Sequence, residues 1–304
     1  MKTIDFMGQR KLALAFSTVL LLVAIGSLAV KQLNWGLDFT GGTLVEVNYS
    51  ETADLNAIRQ TLDAEGYAGA IVVSFGTDRD VLIRLPQGYS DDEGAELLDK
   101  LQDAYSGTVE LRRIEFVGPQ VGDELREQGG LAMLLALGLV MIYIAFRFQF
   151  KFALGAVVAL IHDVLIVLGC FSVLGIEFDL TVLAALLAVI GYSLNDTIVV
   201  SDRIRENFRK LRKVEPVEVI NISLSETLGR TLVTSLTTML VLVALALFGG
   251  EMINAFAVAL LIGVVVGTYS SIYVAANTLL IMGVNKEDLM IPVKEGAEQE
   301  EILP

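Results

Sequence analysis

Six long stretches of the chain are apolar and nearly free of charge, and this pattern restricts the fold more than any other feature. An apolar stretch of roughly 20 residues can cross the hydrocarbon core of a bilayer as a helix. The sequence therefore predicts a polytopic α-helical membrane protein with six transmembrane helices. The six stretches are Leu12–Val30, Gln128–Phe146, Phe152–Ile176, Leu180–Val200, Thr231–Gly250 and Met252–Asn285.

The first and last stretches need separate comment. Leu12–Val30 also resembles a secretory signal, with Ser27-Leu28-Ala29 as a cleavage site. The apolar core of such a signal is only about 7–15 residues long, so we predict an uncleaved helix. Met252–Asn285 has 34 uncharged residues, more than one span requires, and we expect it to include an exit into the cytoplasm.

The charges are distributed unevenly along the chain. The formal net charge is −14, although 54% of the 304 residues are hydrophobic. Residues 32–129 hold 19 acidic and 7 basic groups, so most of the acidity lies in one soluble-looking segment. Basic residues flank alternate ends of the apolar stretches, at Arg10-Lys11, at Arg147 and Lys151, and between Arg203 and Lys213. The positive-inside rule then places both termini in the cytoplasm and residues 32–129 outside.

Four parts of the chain follow from this topology. Residues 1–31 form the cytoplasmic N-terminus with the first helix, and residues 32–129 form an external domain. Residues 130–284 form a region of five further helices, and residues 285–304 form an acidic cytoplasmic tail.

The external domain has the sequence pattern of a small α+β unit. Residues 43–49 alternate as in a strand with one buried face, and Gly76-Thr77-Asp78 separates two β-branched runs like a hairpin turn. Leu55, Ile58 and Leu62 have helical spacing after Thr52. The stretch Ser90–Glu93 is a capping box before a second helix. The predicted order β-α-β-β-α-β is that of a ferredoxin-like fold inserted between helices one and two.

Composition excludes several classes of function. The single Cys excludes an intramolecular disulfide framework and a Cys-rich metal site. With a single His, we expect neither a His-based metal centre nor a Ser-His-Asp triad. The acidic balance argues against nucleic acid. We therefore expect no cofactor, no metal and no enzymatic activity. The 19 acids of the external domain fit a solvated surface, and this domain could bind polypeptide or a partner domain.

Asp196 is the most informative residue, because an ionised carboxylate inside a span costs about 2.5–3.5 kcal/mol on insertion scales. On a helix, Tyr192 and Ser193 share its face and are predicted hydroxyl partners. Arg230, near the start of the fifth span, is the predicted counter-charge, with Ser223 or Ser225 as a helix cap. Two interpretations stay open, a site that loads and releases a small cation and a static ion pair that fixes helix register. Arg230 has a third interpretation, a side chain that snorkels to the cytoplasmic interface.

Further residues in the spans extend this candidate site. Asn195 and Thr197 are polar neighbours of Asp196, and Asp163 is a second intramembrane acid. Asp163 follows His162, but adjacent helical side chains point about 100° apart, so only the acid is assigned to ion coupling. Cys170 is interpreted as a small core hydrophobe. Helix packing is predicted at the small residues Gly191, Gly263 and Gly267, the last two forming a GxxxG motif.

Five stretches, in the same order along nearly the whole chain, carry a family resemblance. They are Gly36–Thr43, Val117–Gly122, Gly191–Glu206 (GYSLNDTIVVSDRIRE), Arg230-Thr231 and Gly267–Ala275. On these residues the chain resembles the SecD/SecF family of bacterial Sec protein export, a branch of the RND transporter superfamily, and within it the smaller, SecF-type half.

The resemblance implies a mechanism and a set of partners. Asp196 and Arg230 match the family's intramembrane Asp and Arg. The six helices would pair with the six-helix half of SecD, an obligate partner, in the bacterial inner membrane. Proton flow at that interface would move the periplasmic domains, which help to draw out unfolded polypeptide after insertion by SecA through SecYEG. YajC and YidC are further expected associates, and H⁺ or Na⁺ is the coupling ion.

Three other functions are compatible with parts of the pattern. The first is a scaffold subunit that stabilises the translocon without conducting ions. The second is an RND-type exporter of small molecules, which the single external domain and the six spans argue against. The third is an intramembrane enzyme, for which neither an HExxH motif nor paired GxGD-type acids are present.

Overall fold

A computed structural model describes residues 3–67, 69–86, 89, 91–211, 213–285 and 288 of the chain. Within these residues the structure consists of long helices and one small α+β domain. The elements in chain order are α1 (Arg10–Val30), β1 (Asn34–Trp35), α2 (Leu37–Thr40), β2 (Gly42–Tyr49), α3 (Leu55–Ala64), β3 (Ile71–Phe75), β4 (Thr77–Leu85), α4 (Asp91–Ala104), β5 (Val109–Val117), α5 (Pro119–Arg147), α6 (Phe150–Leu174), β6 (Glu177–Phe178), α7 (Leu180–Lys210), α8 (Pro216–Phe248), α9 (Glu251–Ser270) and α10 (Ala276–Ile281). A π-helical segment, Ser271–Ala275, joins α9 to α10.

Six helical segments in the described part of the chain are long and apolar enough to cross a membrane. The six predicted apolar helices are therefore confirmed. By length and composition the spans are Met7–Val30, Gln120–Arg147, Phe150–Leu174, Leu180–Lys210, Pro216–Phe248 and Ile253–Ile281.

Several spans extend well beyond the uncharged stretches. The helix that contains most of the uncharged stretch Thr231–Gly250 runs from Pro216 to Phe248. Proline suits its first turn, where the missing N–H leaves no bond unmade. Ser223 and Ser225 lie inside this helix and donate to its own carbonyls, Val219 O and Asn221 O. Their prediction as helix caps is wrong.

The helices differ in how much of their apolar surface the chain itself covers. In the most apolar 18-residue stretch of each helix, 56% of the residues of α6 and 50% of those of α7 are buried. The corresponding fractions are 11% for α5 and 17% for α8. Helices α6 and α7 therefore form the interior of the bundle, and α7 packs against α6, α8 and α9. Most of α5 and α8 faces outward and is available to lipid or to another protein.

The α+β domain follows α1 and has the predicted element order. Its four strands form an antiparallel sheet in the order β3-β4-β2-β5. Alternate residues of the strands, such as Val45 and Ile83, are fully buried under α3 and α4, with Leu62 and Leu97 as their partners on the helices. Helix α3 begins after Asp54, whose side chain accepts from the Asn56 and Ala57 amides, two residues later than Thr52 indicated. Ser90 of the predicted capping box lies outside the described residues.

A second, two-stranded sheet attaches this domain to the helix bundle. Strand β1 pairs in parallel with β6, which lies in the loop between α6 and α7. Trp35 and Phe39 pack on Phe178 of that loop at ring-centroid distances of 5.6 and 5.9 Å. The Asp38 carboxylate accepts from the amide of Leu180 at 3.0 Å. The α+β domain therefore rests on the end of the bundle where α6 ends and α7 begins.

Candidate ion-coupling site

Asp196 is buried between three helices and has two hydroxyl partners. Thr231 of α8 donates to Oδ1 at 2.6 Å, and Ser271 of the π segment donates to Oδ2 at 2.5 Å. The carboxyl is only 7% exposed. No Lys or Arg in the described residues lies within 4 Å of it as an ion-pair partner. The hydrogen-bond partners of the Asp196 carboxyl are therefore neutral hydroxyl groups.

Asp163 is the second buried carboxyl, and it is fully enclosed. Ser193 of α7 and Ser270 of α9 both donate to its Oδ2, at 2.5 and 2.7 Å. Its Oδ1 lies 2.8 Å from Nδ1 of His162. The expectation that adjacent helical side chains point apart is wrong here, because both side chains bend toward each other in the interior.

Two consecutive serines connect these carboxyls to one stretch of helix. Ser270 ends α9 and Ser271 begins the π-helical segment, and each donates to a different carboxyl. Short π-helical segments occur frequently at functional sites. At this point two successive residues reach in different directions, Ser270 toward Asp163 of α6 and Ser271 toward Asp196 of α7.

The hydroxyl partners predicted for Asp196 are wrong. Ser193 donates to Asp163 instead, and Tyr192 donates to Ser235 at 3.1 Å. Ser235 in turn shares a hydrogen bond of 2.7 Å with Thr268. The correct partners, Thr231 and Ser271, lie on other helices and carry no local sequence signal.

Arg230 and the polar neighbours of Asp196 occupy different surroundings. Arg230 is exposed and forms no ion pair within 4 Å of Asp196, although the next residue, Thr231, donates to that carboxyl. The predicted contact ion pair is therefore absent from the described residues. Asn195 is also exposed, whereas Thr197 is buried and donates to neither carboxyl.

The glycines differ in what they pack against. A Cβ at Gly263 would lie 2.1 Å from Val189 Cγ2, and one at Gly267 would lie 3.1 Å from Ser193 Cβ. These two mark the close approach of α9 to α7. A Cβ at Gly191 would meet nothing within 4 Å, so Gly191 marks no close helix contact within this chain. Gly169, which the sequence did not single out, packs against Ala24. A Cβ added at Gly169 would lie 2.2 Å from the Cβ of Ala24.

Chemically, this arrangement can bind and release a proton on a carboxyl group, or another small cation on the carboxyl and hydroxyl oxygens. Each carboxyl accepts two hydrogen bonds from hydroxyl groups and is enclosed by the surrounding helices. The described residues contain no group of three or more His, Cys, Asp or Glu side chains that could hold a metal ion.

Comparison with known proteins identifies the class. The family described as protein export membrane protein SecD/SecF, C-terminal, matches residues 97–285. The SecD/SecF GG motif matches residues 26–53, which include the Gly41-Gly42 turn that packs beside Gly122 of α5. The chain belongs to the SecD/SecF family of protein export membrane proteins.

Individual relatives identify the branch of the family. Protein translocase subunit SecF of Vibrio alginolyticus is 54% identical over 99% of this chain and 97% of the relative. The SecF subunit of Escherichia coli O157:H7 is 44% identical over 100% and 96%, respectively. Within the family, the chain therefore belongs to the SecF branch, whose relatives are named as subunits of the protein translocase.

Solved structures give the same fold. The crystal structure of SecDF, a translocon-associated membrane protein from Thermus thermophilus, superposes with a TM-score of 0.84 at 39% identity and over 92% of this chain. A SecDF structure in a super-membrane-facing form superposes with a TM-score of 0.70 over 93% of this chain. This chain spans 39% of the length of each SecDF chain.

Proposed function

We propose that the chain uses the proton-motive force to assist Sec-dependent protein export, with Asp196 and Arg230 in the ion pathway at the interface with SecD. The burial of Asp196 without a contacting cation carries this proposal. Removing an ionised carboxylate from water is costly unless it is paired. A carboxyl that is held only by neutral donors is therefore suited to bind a proton and to release it when its surroundings change.

The exposure of neighbouring residues supports the position of the interface. Gly191 and Asn195 of α7 and Arg230 of α8 are all exposed in the isolated chain. A polar or charged side chain on the membrane-facing surface of a span is unfavourable against lipid. A second protein that covers this face would shield these residues, and the longer SecDF chains contain additional sequence that could do so.

The topology adds a mechanical element to the proposal. We place the chain in the bacterial inner membrane, as a multi-pass protein with both termini cytoplasmic and with the α+β domain in the periplasm as a ferredoxin-like unit. The strand order β3-β4-β2-β5 and its antiparallel pairing support that fold. Because the domain rests on β6 between α6 and α7, a shift of these helices on proton binding would move it. Translocating polypeptide, SecYEG, SecA, YajC and YidC complete the proposed assembly, in which the chain itself is no enzyme.

Asp196→Asn tests this function in inverted membrane vesicles that contain the chain and SecD and hold a proton-motive force. We expect stimulation of export to be lost, while expression and pairing with SecD are retained. Asp202→Asn is the matched control, because it changes the same chemistry on the same helix at an exposed ion pair with Arg147.

Two further arms separate the alternatives. A protonophore should abolish the stimulation, and replacing Na⁺ by K⁺ should leave it unchanged if the ion is a proton. Full stimulation by Asp196→Asn would overturn the proposal. If Asp196→Asn instead fails to pair with SecD, and stimulation by the unmodified chain is insensitive to the protonophore, the result favours a scaffold that conducts no ions.

A further inference from the structure

A chain of hydrogen bonds runs from His162 to a backbone carbonyl of α1. The Nε2 atom of His162 lies 3.2 Å from the hydroxyl of Ser17, and this hydroxyl lies 3.0 Å from that of Tyr269. Tyr269 donates to the carbonyl of Ala13 at 2.7 Å. A carbonyl only accepts hydrogen bonds, so the direction of every bond in this chain follows from its last member.

The direction of the chain fixes a proton on His162. Tyr269 has one O–H, and it is donated to Ala13. Ser17 must therefore donate its own proton to Tyr269 and accept one from His162 Nε2. With Nε2 protonated, the bond of 2.8 Å between Nδ1 and Asp163 Oδ1 contains one further proton, on either the nitrogen or the oxygen.

The His162–Asp163 pair is therefore neutral overall in both arrangements. It is an imidazolium with a carboxylate or an imidazole with a carboxylic acid. This neutrality explains how Asp163, at 0% exposure, and His162, at 3%, are buried without Lys or Arg as an ion-pair partner in the described residues. A lone buried carboxylate would carry a large desolvation penalty.

A cavity adjoins the pair at His162 and Ser17. It has a volume of about 370 Å³ and lies between α1, α6, the π segment and α10. Its polar wall consists of Ser17, Thr18, His162, Asn277 and Thr278. The cavity extends along Ala13 and Leu14, toward the end of the bundle where α1 begins and away from the α+β domain.

The opposite side of the pair faces the Asp196 site. Ser193, which donates to Asp163, lies three residues before Asp196 on α7, and Ser270 adjoins the Ser271 partner of Asp196. The other titratable groups that face the pair are Tyr269 of α9, stacked on His162 at 6.2 Å, and Tyr273 of the π segment, which lines the same cavity. No Lys or Arg of α1, α7 or α9 forms an ion pair with Asp163 within the described residues.

We propose that His162 and Asp163 form a second proton-binding site, which exchanges its proton with this cavity through Ser17. In the release step, the shared proton settles on Nδ1 while the Nε2 proton passes to Ser17 Oγ. The Ser17 hydroxyl turns its former proton from Tyr269 toward the cavity and passes it to a water molecule there as hydronium, and the pair is left with one negative charge. A proton that arrives from the Asp196 side restores neutrality. This inference rests on the proposed function and adds a second station to its pathway.

Proton uptake into proteoliposomes that contain the chain and SecD tests the second site across a range of pH, with an enclosed pH-sensitive dye. We expect His162→Gln and Asp163→Asn to lose uptake and its wild-type pH profile. Ser17→Ala, which keeps both side chains of the pair but removes the hydroxyl between His162 and the cavity, should slow uptake. Ser172→Ala is the matched control, since it removes an equally buried hydroxyl of α6 that bonds Gln32 O.

The outcomes separate this site from the proposed function. Wild-type uptake and pH profile in His162→Gln and Asp163→Asn overturn the second site if Asp196→Asn abolishes uptake. Wild-type uptake in Asp196→Asn overturns the proposed function itself. If Asp163→Asn and His162→Gln fail to assemble with SecD, Ser17→Ala decides: slowed uptake supports the site, and unchanged uptake overturns it.

Discussion

Ser270 and Ser271 are consecutive residues that donate hydrogen bonds to two different buried carboxyls. Ser270 reaches Asp163 at 2.7 Å and Ser271 reaches Asp196 at 2.5 Å. The helix changes from α to π geometry between them. Any rotation of this segment alters both bonds together.

Removing the two serine hydroxyls should have unequal effects. Asp196 keeps one donor after Ser271→Ala, whereas Asp163 keeps two partners, His162 and Ser193, after Ser270→Ala. A hydrogen bond to a charged group contributes about 1.5–3 kcal/mol. We expect Ser271→Ala to reduce export stimulation in energised inverted vesicles more than Ser270→Ala does.

The double variant provides a further measurement of this relationship. If the segment couples the two carboxyls, the combined loss in Ser270→Ala/Ser271→Ala should differ from the sum of the single losses. Thr238→Ala is the control, because its hydroxyl bonds the Thr234 carbonyl of its own helix. Equal losses for the two single variants would contradict the expected order.

The membrane spans could be predicted from the sequence because their signal is local. A run of uncharged residues specifies a spanning helix whatever its neighbours are. The partners of Asp196 could not be predicted in this way. Thr231 and Ser271 lie 35 and 75 residues away in sequence, and helical spacing favoured Ser193, which instead faces α6.

The α+β domain shows the same division between local and distant signals. Alternation along the strands and the glycine at position 76 indicated the element order, because both depend on neighbouring residues. The attachment of the domain through β1 and β6 had no such signal. Each of these strands has two residues, too few for any periodicity, and their pairing joins Asn34 to Glu177.

The close contact between α9 and α7 predicts a cost for adding one methyl group. Gly263→Ala would place a Cβ 2.1 Å from Val189 Cγ2 and 3.0 Å from Val189 Cβ. Since a valine on a packed helix cannot move far, we expect a destabilisation of about 1–3 kcal/mol. Thermal unfolding in detergent measures it, with Gly138→Ala as the control because nothing lies within 4 Å there. Equal stability of the two variants would show that the helices separate easily.

Tyr49 predicts a loss of stability of the α+β domain at alkaline pH. Burial, with a smaller effect from Tyr105, raises the pKa of Tyr49 from 10.0 to about 12. Because the pKa of Tyr49 is higher in the folded than in the unfolded chain, its neutral phenol stabilises the fold fully below pH 10. This stabilisation is lost between pH 10 and 12, where the phenol of the unfolded chain ionises first. Two pKa units correspond to roughly 2–3 kcal/mol. Thermal melting followed by circular dichroism should show this loss of stability with rising pH in the unmodified protein. The dependence of the melting temperature on pH should be flatter in Tyr49→Phe and unchanged in the control, Tyr143→Phe in α5.

The ion pair between Arg84 and Glu177 predicts how firmly the α+β domain is held on the bundle. Arg84 of β4 is 14% exposed, and Glu177 belongs to β6 between α6 and α7. Because Glu177 is partly exposed, we expect Glu177→Gln to weaken the attachment by only about 1 kcal/mol. The Gly36 amide, which bonds Phe178 O at 2.8 Å, should then exchange its hydrogen roughly five times faster, since 1.4 kcal/mol is tenfold in an equilibrium constant. Glu110→Gln, whose pair with Arg112 is more than half exposed, is the control, and unchanged exchange in both variants would show that the Arg84–Glu177 pair does not contribute to the attachment.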